Sequence, residues 1–197
     1  MGVSEPDRFT RYYDATKGRP PRDTLLMALD RAEAPGFAVD LGCGDGRDTV
    51  ELLRRGWRVL AIDSEPEGIA RLEARTDLEN REQLTTLCAK MEDARWPEAD
   101  LVNSSFALPF CPPERFPILW QRIIESIRTG GRFAGQFFGP RDDWAKTGLT
   151  IVTRSALDAL FAAFEIERLD EEETDGTAPP GGTKHWHIFH VVARKLA

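Results

Sequence analysis

Cysteine is scarce in this chain, and the few present do not pair. Cys43, Cys88 and Cys111 are scattered, with no C-x-x-C spacing among them. That disfavours a disulfide framework or a zinc site and favours reduced thiols in a cytoplasmic protein. Histidine is equally sparse, with all three residues inside Lys184-His-Trp-His-Ile-Phe-His190. No stretch approaches the roughly 20 apolar residues needed to span a bilayer. Met1-Gly-Val-Ser-Glu-Pro-Asp-Arg8 has no apolar core of signal-peptide length, so a soluble protein without a membrane span is expected. Positive charge is in deficit: 26 Lys and Arg against 33 Asp and Glu give a net charge of −7, which argues against broad binding to nucleic acid. There is no internal repeat, linker or low-complexity tail, so the 197 residues are expected to form a single domain.

What is present is organised around Phe37-Ala-Val-Asp-Leu-Gly-Cys-Gly-Asp-Gly46. A short apolar run, the mark of a strand buried on both faces, breaks into three alternate glycines. Val50, Leu52 and Leu53 then recur at helical spacing until Gly56. The glycines therefore lie where a strand turns into a helix. Glycine there permits positive φ and close approach of a ligand, and the helix N-terminus adds unpaired N–H groups.

Further elements follow along the chain. Residues 1–14 suggest a short helix or flap, and residues 1–22 as a whole read as a flap or lid segment. A helix runs from about Asp23 to Glu33. Strands are expected at Trp57–Asp63, Leu84–Cys88, Ala99–Ser104, Arg132–Phe138, Phe164–Leu169 and Lys184–Arg194. Helices are expected from Pro66 to about Arg75, from Glu114 to about Arg128 with Thr129-Gly-Gly131 as its cap, and from Thr153. In the last of these, Ser155 and Asp158 have capping spacing. Asp170 to Gly182 reads as an acidic, turn-rich, mobile loop. Six strand–helix alternations closed by an antiparallel hairpin give an α/β fold with a mostly parallel sheet. Ligands bind such sheets beyond the carboxyl ends of the parallel strands.

Acids and amides gather at those ends. Asp63 closes the second strand about 20 residues past the first glycine, where an acid can accept both hydroxyls of a ribose. Asp63 could alternatively cap the Pro66 helix. The glycine spacing lacks the third glycine of G-x-G-x-x-G, because Arg47 stands in its place. Asp45 inside the loop suits a cationic ligand better than a pyrophosphate. S-adenosylmethionine, with a sulfonium, an ammonium and no phosphate, fits these electrostatics.

Asp40-Leu-Gly-Cys-Gly-Asp-Gly46 resembles the first motif of the class I S-adenosylmethionine-dependent methyltransferases, D-x-G-x-G-x-G. Val59-Leu-Ala-Ile-Asp63 is similar to their second motif, Cys88 to Pro97 to the segment lining the adenine, and Ala99 to Leu108 to the fourth-strand motif. Arg128 to Arg132 resembles the turn before their fifth strand. The likeness spans roughly residues 20 to 194, with a shape like the small tellurite-resistance-like members. It implies a Rossmann-like fold with a seven-stranded sheet, helices on both faces and a closing hairpin. It also implies transfer of a methyl group to a small molecule, with S-adenosylhomocysteine as product. Asp40, Gly42, Cys43, Gly44, Asp45 and Gly46 would meet the methionine and ribose parts, Asp63 and Ser64 the ribose, and Met91 and Glu92 the adenine. Lys90 stands where the family more commonly has an acid. Asn103 and Ser104 would lie near the amino-acid end, with Tyr13 as a lid and Arg22 facing the cofactor carboxylate.

For the acceptor, Asn103-Ser-Ser-Phe106 lacks the N-P-P-Y pattern of nucleobase and amide methylating enzymes. Phe106, Trp144 and Trp186 are candidate pocket walls, although aromatics there are as often core. Period two puts His185 and His187 on one face of the last strand and Trp186 and His190 on the other. His185 and His187, at the strand end near the site, are candidate general bases, against the plainer reading of polar residues hydrogen-bonded at a strand end. A metal site is not expected. Two rival functions remain: an NAD(P)-dependent oxidoreductase on a related frame, and a non-catalytic S-adenosylmethionine-binding protein.

Overall fold

In the computed structural model, which describes residues 5–178 and 181–197, the strand leading into the glycines lies in the middle of a sheet. This strand, β1 (Phe37–Leu41), is buried at every residue. β2 (Arg58–Asp63) and β4 (Ala99–Ser104) pair parallel to it on either side. β3 (Leu84–Cys88) lies outside β2, and β5 (Ile127–Phe138) outside β4, both parallel. β7 (Thr183–Lys195) runs antiparallel between β5 and β6 (Phe164–Thr177), giving the order β3-β2-β1-β4-β5-β7-β6. The expected α/β architecture with a closing hairpin is therefore present. The winding reverses between β1 and β4, which opens a crevice at their carboxyl ends.

The period-two alternation of the strands sorts the core into two faces. Phe37, Val39, Leu41, Phe133 and Phe137 point to one side, under α5 (Phe116–Ser126) and α6 (Arg154–Leu160). Ala38, Val59, Ala61 and Ala134 point to the other, under α2 (Asp23–Asp30), α3 (Arg47–Arg54) and α4 (Pro66–Glu73). The first face is aromatic: the Trp120 ring lies 5.1 Å from Phe133 and 5.0 Å from Phe161, and its Nε1 donates to Leu160 O at 3.0 Å. The second uses small strand residues, which bring α2 and α3 close to the sheet. α5 passes into β5 without a loop. Lys195 Nζ donates to the carbonyls of Ile124 and Ile127 at 2.6 Å each, satisfying acceptors that a helix end leaves open. The remaining helix, α1 (Glu5–Thr16), lies against α4.

Several boundaries differ from the sequence expectation. β5 begins at Ile127, so Thr129-Gly-Gly131 is not a helix cap; it lies inside the strand, where the register with β4 slips. Among the described residues no helix separates β3 from β4, so that crossover is irregular backbone. Thr153, not Ser155, caps α6 through Oγ1, which accepts from Ala156 N at 3.2 Å, while Asp158 pairs with Arg154. The largest correction concerns the acidic stretch: β6 continues through Thr177 instead of becoming a mobile loop at Asp170. Its acids find cations across the sheet, with Glu173 and Glu171 on Arg141 and Asp175 on His185. Composition alone could not reveal those partners. The first four residues of the expected flap, and Pro179-Pro180 of the expected loop, lie outside the described residues. No helix among the described residues is long and apolar enough to cross a membrane.

Thr153→Ala is expected to lower stability by about 1 kcal/mol through loss of the cap, whereas Ser155→Ala should change little. Chemical unfolding of both variants checks the assignment, and equal losses would contradict it.

Candidate active site

The crevice opens into a cavity of about 630 Å³ at the carboxyl ends of β1, β2 and β4. That volume suits a cofactor-sized ligand. Gly42, Gly44 and Gly46 have φ of 72°, 54° and 88°, in the left-handed region where glycine avoids strain. A Cβ on Gly42 would collide with the Ala107 methyl, and one on Gly46 with Leu72. Gly46 does not line the cavity; it lets the loop pack on α4. The Gly42 and Cys43 N–H groups donate to Ile62 O at 2.7 and 3.1 Å. Cys43 is buried, and burial pushes its thiol pKa well up, disfavouring the thiolate, so its small size at the tight turn is the feature the fold uses.

Asp63 faces this loop. Its Oδ2 accepts from Gly44 N at 2.8 Å and its Oδ1 from Glu65 N at 2.9 Å. Glu65, not Asp63, occupies the N-cap of α4. Burial raises the Asp63 pKa against the lowering effect of these donors.

Beneath the loop lies a buried network. Asn103 Nδ2 donates to Asp40 Oδ1 at 2.9 Å and to Asp48 Oδ2 at 3.1 Å. Asp40 also accepts from Thr49 Oγ1 at 2.6 Å, and Asp48 from Ser105 Oγ at 2.5 Å and Arg22 N at 2.9 Å. Burial, reinforced by the neighbouring Asp48, raises the Asp40 pKa. Asn103 Oδ1 finds no donor among the described residues. Asp40 and Asp48 line the cavity, whereas Asn103 and Ser104 lie below it, Ser104 donating to Leu41 O at 3.1 Å.

Arg22 lines the same end, together with Arg19 and Arg47. Burial, and then Arg47, lowers its pKa to about 10. Its guanidinium carbon sits 4.2 Å over the Phe106 ring. α1 closes this end from above. Tyr13 is buried over the loop, and Tyr12 and Thr16 also line the cavity. The helix is held by Thr10 on Glu67 at 2.8 Å and by Asp14 on Arg71 at 2.8 Å. Ser64, Met91 and Glu92 line the opposite end beside Lys90.

The aromatic candidates gather in the remaining part. Phe106, Trp144 and Trp186 all line the cavity, joined by Phe110 and Phe138. Behind them Lys184 Nζ pairs with buried Asp142 at 2.5 Å and sits 3.6 Å from the Trp186 ring centre and 4.4 Å from that of Trp144. Asp142 also accepts from Trp144 N at 2.9 Å, so this ion pair fixes both tryptophans.

The histidine candidates are corrected by the side-chain alternation of β7. His185 and His187 point away from the cavity, and neither lines it. His185 meets Asp175 and Glu173, whose hydrogen bonds raise its pKa. His187 accepts from Arg141 N at Nδ1 and meets Glu171 at Nε2, at 2.8 Å. On the opposite face His190 lines the cavity together with Trp186.

Residues 38–131 match the family described as a methyltransferase domain. A carboxy-S-adenosyl-L-methionine synthase of Citrifermentans bemidjiense is 32% identical over 113 residues, covering 54% of this chain and 46% of that protein. A trans-aconitate 2-methyltransferase of Deinococcus radiodurans is 33% identical over 135 residues, covering 66% and 48%. The chain thus spans about half the length of the curated relatives it matches. In fold it is similar to TehB from Haemophilus influenzae, with a TM-score of 0.76 at 18% identity, over 93% of this chain and 65% of that one.

Residues 38–131 thus carry a methyltransferase-domain match, on a fold similar to that of TehB. Several residues that line the cavity carry no mark as site residues in the sequence reading: Tyr12, Arg19, Arg47, Asp48, Ser105 and His190. Arg47 and Asp48 directly follow the glycines, and that adjacency was a usable signal. Ser105 followed a strand-end residue already singled out. Nothing local marked Arg19 or Tyr12, which arrive by the packing of α1 and the turn after it.

Because folding raises the Asp40 pKa from its ordinary value near 3.8, the folded state holds that proton more tightly than the unfolded one. This contribution to stability is lost as pH rises from that value through the folded pKa. Asp40→Asn should therefore gain stability relative to the native chain as pH rises from about 4 toward neutrality. Thermal unfolding across that range tests it, and a pH-independent difference between the two proteins would contradict it.

Proposed function

We propose that this protein binds S-adenosylmethionine and transfers its methyl group to a small molecule, releasing S-adenosylhomocysteine. It acts as a single methyltransferase domain in the cytoplasm, with residues 1–22 as its lid and nucleic acid outside its substrate range. The observation that carries this reading is the clustering of opposite charges at one end of the cavity. Buried carboxylates Asp40 and Asp48 line this end together with Arg22, whose backbone N–H donates to Asp48 and whose guanidinium feels the Asp48 charge, next to the glycine loop. Such a pair fits the ammonium and carboxylate of an amino-acid group and would repel a pyrophosphate at the acids. The orphaned Asn103 Oδ1 adds a buried acceptor close to the two acids.

In this reading Asp40, Asp48 and Arg22 hold the methionine end, Gly42 to Asp45 the backbone side, Asp63 and Ser64 the ribose, and Met91 and Glu92 the adenine. When bound, the cofactor supplies an electrophilic methyl group on a sulfonium. The protein contributes placement and dryness: Tyr13 and α1 cover the loop, and the aromatic walls exclude water from the acceptor. For the oxidoreductase alternative, a Tyr-x-x-x-Lys spacing does occur at Tyr13 and Lys17. However, Tyr13 is itself a lid residue packed over Gly44, and Lys17 is exposed and outside the cavity.

Calorimetry is expected to show binding of S-adenosylmethionine and S-adenosylhomocysteine and none of NAD. Clear NAD binding with neither sulfur compound bound would overturn the reading. Asp63→Ala should weaken cofactor binding by about 1.5–3 kcal/mol, roughly tenfold to a hundredfold, through loss of charge-assisted hydrogen bonds. Asp63→Asn, whose single amide oxygen can accept from only one of the Gly44 and Glu65 N–H groups, should retain part of that affinity. Unchanged affinity in a folded Asp63→Ala protein would remove Asp63 from the site.

A further inference from the structure

The acceptor half of the cavity contains a base that the proposed function leaves unassigned. His190 and Glu172 both line the cavity, and His190 Nε2 lies 2.9 Å from Glu172 Oε2. With Nε2 engaged, Nδ1 is left without a hydrogen bond among the described residues. The ring stands edge-on to Phe106, with centroids 6.2 Å apart. Across the sheet, His190 is flanked by Gln136 on β5 and Asp170 on β6, and Arg22 lies over Phe106. With Arg22 over Phe106, Glu172 and His190 are the titratable groups among the described residues lining this half; the rest is largely aromatic.

Phe106 is held with unusual insistence. Its φ of 58° is strained for a residue with a side chain. Gln136 keeps it there: its Oε1 accepts the Phe106 N–H at 3.1 Å, and its Nε2 donates to Thr24 at 2.8 Å. The ring then faces Trp186 and Phe138 at 6.4 and 6.2 Å, with Trp144 beside Trp186 at 5.6 Å. Walls of this kind select a flat ring by stacking and edge contacts, and an aliphatic polyacid would find few partners on them.

We propose that the acceptor is a planar aromatic alcohol and that His190 is the general base for its hydroxyl. The O–H bond breaks with its electron pair left on oxygen, and the proton passes to Nδ1. Glu172 keeps the imidazole oriented and balances the imidazolium that forms. The oxygen pair would then form the new O–C bond as the methyl–sulfur bond breaks, with its electrons remaining on the sulfur of S-adenosylhomocysteine, the leaving group, and the His190 proton would pass to solvent. This inference rests on the methyltransferase reading and adds the substrate class and a catalytic residue to it.

The test uses the full chain loaded with S-adenosylhomocysteine and a series of substituted phenols graded in acidity, with tricarballylate as an aliphatic control. Phenols should bind and tricarballylate should not. Absorbance should show bound phenol as phenolate in the native protein and as phenol in His190→Gln, at similar affinity. In turnover with S-adenosylmethionine, His190→Gln should lose about a hundredfold or more on weakly acidic phenols and far less on the most acidic. Glu172→Gln, at the more exposed end of the pair, should show the same trend with a smaller loss and covers the case of a misfolded His190 variant. Tight binding of S-adenosylhomocysteine without phenol binding would overturn this inference and leave the methyltransferase reading standing. Absence of S-adenosylhomocysteine binding would instead sink that reading. Equal losses across the whole phenol series would reduce His190 to a packing role and overturn its assignment as base.

Discussion

Two carboxylates share one buried amide at the carboxyl end of the sheet, and the site is built around that arrangement. Asp40 lies at the end of β1, Asn103 at the end of β4, and Asp48 in the first turn of α3, so the network ties these three elements together at the site. It also reaches the N-terminal segment, because Asp48 accepts the Arg22 backbone N–H. Like charges this close in a dry setting are costly unless they are hydrogen-bonded or one holds a proton. The raised Asp40 pKa is the visible sign of that cost. A cation brought to this end would offset that cost.

The second organising feature is the hairpin of β6 and β7. Its two faces are chemically different. One carries His185 and His187 hydrogen-bonded to acids of β6, with Arg141 pairing two of the same acids, and it holds the edge of the sheet in register. The other carries Trp186, Ile188 and His190 into the cavity. The Lys184–Asp142 pair joins the hairpin to the segment after β5 and sets the positions of two tryptophans. The charged face thus supplies the rigidity that the aromatic face needs to present a shaped wall.

The parts of the site that were legible in the sequence are those whose signal is local. The glycine loop, Asp63, Met91 and Glu92 lie on or next to a strand end, so reading the strands placed them. Phe106, Trp144 and Trp186 could be named as aromatics near the site, although not distinguished from core. The acidic run from Asp170 was misjudged because its stabilising partners are far away in sequence: Arg141 and the histidines of β7 convert a self-repelling segment into a paired strand. The histidines were identified as a cluster, and their alternation was right. Which face met the cavity depended on how the hairpin packs on β5.

By itself the sequence determined the order of elements, the strand–helix junction at Gly42 to Gly46 and the acid that faces it, because periodicity and backbone permissiveness act over a few residues. Only the tertiary structure decided which face of β7 meets the cavity, that Tyr12 and Arg19 join its lining, and that Asn103 binds two carboxylates and lies beneath the cavity. Each of those outcomes depends on contacts between segments far apart in the chain. Side-chain partners across a sheet and under a packed helix leave no mark in the local pattern of either segment.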